Sequence, residues 1–314
     1  MSTPPPVIVT VTLNAALDVT YRVDRLRTGG TNRVTSVRER AGGKGVNTAR
    51  VLTALGLPAL VTGLVGGATG SQFRNDLQRS GLRYLLTSIQ QSSRRTVAVL
   101  EDYADDADGT VTGLGEPGPQ VCAEEWSRFA ERDFPAALSG AAVVVLSGSL
   151  PPGVPVDAYA VLLRRAAGLG VPGVLDADGE ALRAGLGGRP ALVKPNAEEA
   201  ARTTGARDPA EAAARLCALG AGTAVVTAGP DGLFGHTAEG LAWHTPAPRR
   251  VRGNPTGAGD AVTAALARAL AERTPWPQAT ADAAALAAAA VAAPLAGDYD
   301  QNLYRELTQH QEET

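Results

Sequence analysis

The chain has 314 residues, 44% of them hydrophobic, and a formal net charge of −3, which is enough apolar material for a sizeable core. It lacks the positive charge that a nucleic-acid or anionic-membrane surface needs, so a small-molecule partner is the better default. Two cysteines, Cys122 and Cys217, show no CxxC pairing, and both read as buried thiols of a reducing compartment.

Residues 1–6 lack the basic segment of a secretory signal, and 7–13 alternates apolar residues with threonine as a strand does. The expected location is the cytoplasm. Further strands are predicted at 60–64, 143–147, 173–176, 192–194 and 224–227, with helices at 46–55, 71–79, 123–138, 157–169 and 209–219. This alternation predicts an α/β fold, a doubly wound and mostly parallel sheet flanked by helices. Two segments break the rhythm, 20–40 and 94–114, where polar and β-branched residues alternate around Thr28-Gly29-Gly30 and Asp108-Gly109. They predict hairpins added to the main sheet, which serve either as a lid or dimer-forming flap or as plain surface hairpins. The apolar run 283–293 is about half the roughly 20 residues a bilayer requires and is mostly alanine, so it reads as a buried helix. The tail after residue 302 reads as a terminal helix or a frayed end. No repeat or linker divides the chain, so one domain spanning 1–314 is expected.

Five short segments can carry chemistry. The strongest is Asn254-Pro255-Thr256-Gly257-Ala258-Gly259-Asp260, ahead of a helix in which Val262, Leu266 and Leu270 recur every four residues. Glycines there let amide hydrogens converge at a helix N-terminus, a natural anion site. Asp260 is then either a carboxylate that favours the helix dipole or a base set beside an anion cradle; the adjacency favours the base. The second segment, Ala41-Gly42-Gly43-Lys44-Gly45-Val46-Asn47, opens a helix without Walker A spacing. It is a plain glycine turn, or a place where backbone, Lys44 and Asn47 approach a ligand.

The third segment, Ser147-Gly148-Ser149-Leu150-Pro151-Pro152-Gly153, follows a strand and is by itself an ordinary connector, though such loops line the crevice of open α/β sheets. In the fourth, Lys194-Pro195-Asn196-Ala197-Glu198-Glu199, the acids either favour a helix dipole or help hold Mg²⁺ through water. The fifth, Thr227-Ala228-Gly229-Pro230-Asp231-Gly232, holds nucleotide phosphate or simply turns. His236, His244 and His310 have no metal-ligand spacing, and neither a nucleophile elbow nor a dinucleotide fingerprint is present. Of the 29 basic residues only Lys44 and Lys194 are lysines. Both stand in these motifs, which suggests sites that need a compact ammonium rather than a planar fork.

Together and in this order the segments resemble the ribokinase-like carbohydrate kinase family, also called the PfkB family, over nearly the whole chain. Thr12-Leu13-Asn14-Ala15-Ala16-Leu17-Asp18 looks like the Asn-Pro-Ala-Leu-Asp of its phosphosugar branch, which includes 1-phosphofructokinase and tagatose-6-phosphate kinase. The resemblance implies an ATP-dependent kinase of a ketohexose phosphate, with fructose 1-phosphate converted to fructose 1,6-bisphosphate as the leading reading. Tagatose 6-phosphate, fructose 6-phosphate, an unphosphorylated sugar or a nucleoside are the other acceptors, and a silent sugar-binding regulator is the non-enzyme reading.

By the same resemblance Asp260 is the base within the turn Gly257-Ala258-Gly259. Asp18, Gly42, Gly43, Lys44, Asn47 and Ser147 hold the sugar, and Arg94 holds its existing phosphate. Lys194, Asn196, Thr227, Gly229, Gly232, Gly257 and Gly259 face ATP, and Glu199 stands near Mg²⁺ through water. The segments 20–40 and 94–114 become the lid, through which a homodimer can form. Departures from the family pattern at Ala15, Thr96, Gly115 and Pro255-Thr256 remove no proposed catalytic group but bear on the sugar's identity.

Overall fold

The computed structural model describes residues 6–101 and 111–312. The chain opens with β1 (Val7–Thr12), β2 (Ala16–Val23), β3 (Val34–Gly42), α1 (Lys44–Ala54), β4 (Ala59–Gly66), α2 (Gly67–Arg79) and β5 (Arg83–Ile89). Next come β6 (Arg94–Glu101), β7 (Val111–Gly115), α3 (Ala123–Arg128), α4 (Phe134–Ala137), β8 (Ala141–Ser147), α5 (Ala158–Gly168), β9 (Gly173–Asp176) and α6 (Gly179–Leu186). The last third contains β10 (Leu192–Val193), α7 (Ala197–Thr204), α8 (Pro209–Ala218), β11 (Thr223–Thr227), β12 (Leu233–Thr237), β13 (Ala242–Thr245), α9 (Ala258–Glu272), α10 (Trp276–Val291) and α11 (Gln301–Glu312).

Nine strands form the main sheet in the order β13-β12-β11-β10-β9-β8-β1-β4-β5. Every neighbouring pair from β5 to β11 is parallel, and β12 and β13 add an antiparallel edge. Helices cover both faces, so central strands read as continuous apolar runs rather than as alternation. Ile8, Val143, Val145, Val174, Leu192 and Val225 pack with α1, α2, α9 and α10. Their neighbours Val9, Val11, Val144, Leu146, Leu175, Val193 and Val226 face α4 to α8 instead. The strand order reverses beside β1, and the crevice at the carboxyl ends of β1, β8, β9 and β10 is where such sheets bind ligands.

The expected α/β sheet is therefore present, and so are the added strands. A four-stranded sheet, β3-β2-β6-β7, stands apart from the main one. Its hairpin β2–β3 turns near Gly29 (φ 76°). β6 and β7 pair antiparallel, while the Asp108-Gly109 turn predicted between them lies outside the described residues.

Three expectations need correction. The helix predicted over 123–138 is interrupted by a π turn, Phe129–Asp133. Pro135 at the start of α4 has no N–H to give, and a wider turn absorbs that loss. Cys122 is exposed and Cys217 only half-buried; Cys122 occupies the N-cap of α3, a position at the surface. The helix predicted from 71 starts at Gly67, whose left-handed backbone packs against Ser92. Among the described residues no helix is long and apolar enough to cross a membrane.

Candidate active site

The start of α9 has Gly257 as its N-cap, in left-handed backbone (φ 92°) and with no side-chain cap. A Cβ at Gly257 would come 2.8 Å from the Ala296 Cα, so the loop after α10 and the glycine turn are fitted to each other. First-turn amides of a helix have no intrahelical partner, and here no side chain takes them. Asp260 is the third residue of α9, 6% exposed, and its Oδ2 accepts a hydrogen bond from Asn47 Nδ2 at 2.8 Å. Burial pushes the Asp260 carboxyl up to about 7; nearby Asp176 adds to this, while the Asn47 bond, Lys44 and Lys194 oppose it.

Asn47 stands in the first turn of α1, whose N-cap is Gly43 with φ 103°. Gly45 also has to be glycine, because a Cβ there would run into the Thr12 hydroxyl and the Val11 backbone. The turn therefore lies against the end of β1. In front of it is a cavity of about 240 Å³ lined by Gly43, Lys44, Arg94, Ser147 and Glu199 together with Thr12, Asn14, Ser149 and Asp178. Arg94 is fixed there by the carbonyls of Asn14 at 3.1 Å and Glu116 at 3.2 Å. Three buried polar atoms on these residues, Thr12 Oγ1, Asn14 Oδ1 and Ser147 Oγ, have no hydrogen-bond partner. Buried polar groups are nearly always satisfied, so a polar ligand would supply what this wall lacks.

Asp18 lies across the cleft on β2, paired in register with Arg40 of β3 and Thr96 of β6. It lines a second cavity of about 390 Å³ with Asn47, Arg38, Arg40, Thr96, Asn254 and Thr256. Gly42 is required beneath it, since any Cβ there would strike the Asp18 carboxylate. Burial lifts the Asp18 carboxyl to about 6 against the pull of Arg94, Arg40 and Arg50. Arg40 in turn makes a bidentate pair with Asp298, at 2.7 and 3.0 Å, which ties the small sheet to the loop after α10.

The residues expected to face a nucleotide divide into two groups. Lys194, 3% exposed, reaches the same region as Lys44, and a Cβ at Gly259 would lie 3.5 Å from its Nζ. Thr227, Gly229 and Gly232 line neither cavity. Thr227 bridges Asn196, Gly229 starts a short 3-10 turn, and Gly232 packs against the backbone of Thr245 and its successors. Asn196 caps α7 by accepting from Glu199 N at 2.8 Å, and Glu199 Oε2 accepts from Asn196 N at 2.8 Å. This reciprocal cap accounts for the position of Glu199 without a metal, yet the residue also lines the smaller cavity.

Among the described residues no group of three or more His, Cys, Asp or Glu side chains is placed to hold a metal ion. That fits Mg²⁺ only in the form in which phosphates supply most of its ligands, with a single carboxylate through water.

Sequence reasoning passed over three residues that the structure brings forward. Asn14 lay in a quoted motif without a role; here its Nδ2 is held by the Pro117 carbonyl at 3.1 Å and by Ser149 Oγ at 3.0 Å. A carbonyl can only accept, so the amide's orientation is fixed. Asp178 lines the smaller cavity. Asp176, at the end of a predicted strand, is fully buried and accepts from Lys44 Nζ at 3.0 Å. In sequence it is only an acid at the end of an apolar strand, and its partners are too distant along the chain to mark it.

The sequence pattern of the pfkB family carbohydrate kinases matches residues 9–301. The tetrameric inhibited form of phosphofructokinase-2 from Escherichia coli is similar over 96% of this chain and 99% of its own, with 29% identity and a TM-score of 0.86. The same enzyme in complex with fructose-6-phosphate gives a TM-score of 0.85 at 29% identity over the same shares. A possible 1-phosphofructokinase from Thermotoga maritima, 24% identical over 97% of this chain and 98% of that one, has a TM-score of 0.84 and shares the fold. The chain belongs to the pfkB family of carbohydrate kinases.

Proposed function

We propose that the chain transfers the γ-phosphoryl group of ATP to a primary hydroxyl of a ketohexose phosphate, with fructose 1-phosphate as acceptor and fructose 1,6-bisphosphate as product. The observation that carries this reading is Asp260: a buried carboxylate bonded to the neutral amide of Asn47, at a helix start that no side chain caps. Its raised proton affinity suits a group that must take a hydroxyl proton near neutral pH. The first-turn amides of α9 receive the charge that develops on the transferred group. Glu199 would hold Mg²⁺ through water, and the ion, when bound with ATP, would neutralise phosphate charge.

Arg94 and Lys44 at one cavity favour an acceptor that already carries a phosphate. The unpartnered Thr12, Asn14 and Ser147 oxygens match the hydroxyls of a sugar. Asp18 of β2 and Asn47 of α1, which line the neighbouring cavity together, complete the enclosure.

A second reading, fructose 6-phosphate, is favoured by the relative solved with that sugar at 29% identity. Both acceptors yield the same bisphosphate and differ in which end of the sugar meets Asp260. An ADP-release assay over fructose 1-phosphate, fructose 6-phosphate, tagatose 6-phosphate and free sugars decides between them. The highest kcat/KM is expected with fructose 1-phosphate, and free fructose should be at least about 10²-fold poorer for want of the charge-assisted phosphate bonds. Equal turnover of free and phosphorylated sugars would overturn the phosphosugar reading.

A further inference from the structure

Both lysines of the chain end on one carboxylate. Asp176 closes β9 and is 0% exposed. Its Oδ1 accepts from Lys44 Nζ at 3.0 Å; its Oδ2 accepts from the Thr263 hydroxyl at 2.8 Å and lies 3.4 Å from Lys194 Nζ. The partners come from three elements. Lys44 opens α1 on the side of the smaller cavity, Lys194 follows β10 beside the α7 cap, and Thr263 stands one turn beyond Asp260 on α9.

We propose that Asp176 is the positioning residue of the phosphoryl transfer: it holds the two ammonium groups side by side in front of α9 and keeps both of them off Asp260. The inference rests on the kinase reading above. An acid removed wholly from water stays ionised only when cations and donors surround it. Burial would raise the proton affinity of Asp176, but Lys194, Lys44 and the Thr263 hydroxyl overcome that and hold it below the ordinary carboxylate range.

The division of partners is what matters for chemistry. Besides Glu199 on α7, the carboxylates of Asp176 and Asp260 share this corner with the two ammonium groups; both ammoniums lie on Asp176 while Asp260 is bonded by the uncharged Asn47 amide. An ammonium paired directly with Asp260 would favour its charged form and weaken it as a base. With Asp176 present, the cations remain available to phosphate oxygens and the base keeps its affinity for protons.

The arrangement also explains why a chain with 27 arginines among its 29 basic residues places lysine at these two positions. One carboxylate can take two compact ammoniums and a hydroxyl, whereas a planar guanidinium fork would occupy both oxygens alone.

The test uses the full chain with ¹⁵N-labelled lysine. With only two lysines, the side-chain spectrum has two signals to follow against pH. The charged groups facing Lys44 are Asp176 on β9, Glu199 on α7 and Asp260 on α9, and Asp176 is foremost among those that raise its proton affinity above the ordinary lysine value. In Asp176→Asn the Lys44 signal should titrate at least about one pH unit lower than in the unaltered chain. In the same variant kcat should fall about 10²-fold, and the acidic limb of its pH profile should move to lower pH. That limb reports Asp260, which Asp176 faces from β9, Lys44 from α1 and Lys194 from beyond β10. A purely structural role would lower Tm and leave both titrations in place, and that result overturns the proposal.

Should Asp176→Asn fail to fold, Thr263→Val removes the tie to α9, together with the hydroxyl's other contact, to the Gly259 carbonyl at 3.0 Å. It should cost about tenfold in kcat, as the loss of one hydrogen bond to a charged group does, with the Lys44 titration unchanged; an unaltered kcat there also overturns the proposal. If the unaltered chain releases no ADP with any sugar, the kinase reading fails. The Lys44 titration still tests the carboxylate's hold on that lysine.

Discussion

Two helix starts in this protein look alike in sequence and do opposite things. Both α7 and α9 follow a turn at the carboxyl edge of the sheet, and both carry acids in the first turn: Glu198 and Glu199 in one, Asp260 in the other. In α7 the end is closed by its own residues. Asn196 and Glu199 cap each other's amides, and Glu198 turns outward to pair with Arg202 at 3.4 Å, with 79% of its side chain exposed. In α9 no side chain caps the turn, Gly257 takes the backbone through left-handed space, and the acid is buried against Asn47. An acid at a helix start is a dipole partner by default. It becomes a candidate for chemistry where the cap is missing and the carboxylate is denied water.

The strongest way to break this contrast is Asp260→Asn. Removing a positioned base typically costs 10²–10⁴ in rate, so kcat should fall by roughly 10³ or more while ATP still binds in a calorimetric titration. A variant with unimpaired turnover would put Asp260 in the same class as Glu198. Next is pH. A base must be ionised to accept a proton, and burial holds Asp260 near 7, so kcat should fall about tenfold per pH unit below that point and level off above it. A rate that stays flat down to pH 5 would show that no group raised in this way takes part.

Arg94→Ala sharpens the comparison from the acceptor's side. One charge-assisted bond to a phosphate is worth about 1.5–3 kcal/mol, so KM for a phosphorylated sugar should rise about 10- to 100-fold, with little change for the free sugar. Equal effects on both would mean that Arg94 only braces the loop at Glu116 and the Asn14 carbonyl.

How much of this the sequence disclosed follows from the range of the interactions involved. The central strands were legible because both faces are covered, which gives continuous apolar runs such as 143–146. The glycine turns were legible because only glycine allows the left-handed backbone at 43 and 257. Edge elements were not: β5 has one strand neighbour and mixes exposed with buried residues, so its pattern is weak. Asp176 was not legible either. Its meaning lies in contacts 132 and 87 residues away in sequence, to Lys44 and Thr263, and only the folded sheet brings these together. The same holds for Asn14, whose role depends on Pro117 and Ser149.

The smallest expected effects belong to α7, and they test whether its acids are merely structural. Asn196→Ala removes a reciprocal cap and should cost about 1 kcal/mol of stability, read as a lower urea midpoint with an unchanged slope. A rise in KM for ATP beyond that loss would return Asn196 to the nucleotide side of the cleft. Glu198→Gln should do less still. Its partner Arg202 is 60% exposed, and exposed i,i+4 pairs are worth about 0.3–0.5 kcal/mol and are screened by salt. Its urea midpoint should match that of the unaltered chain at high ionic strength and kcat should not move. A fall in kcat would mean that the outward carboxylate of α7 reaches the reaction after all, and that a capped helix start can take part in chemistry as an open one does.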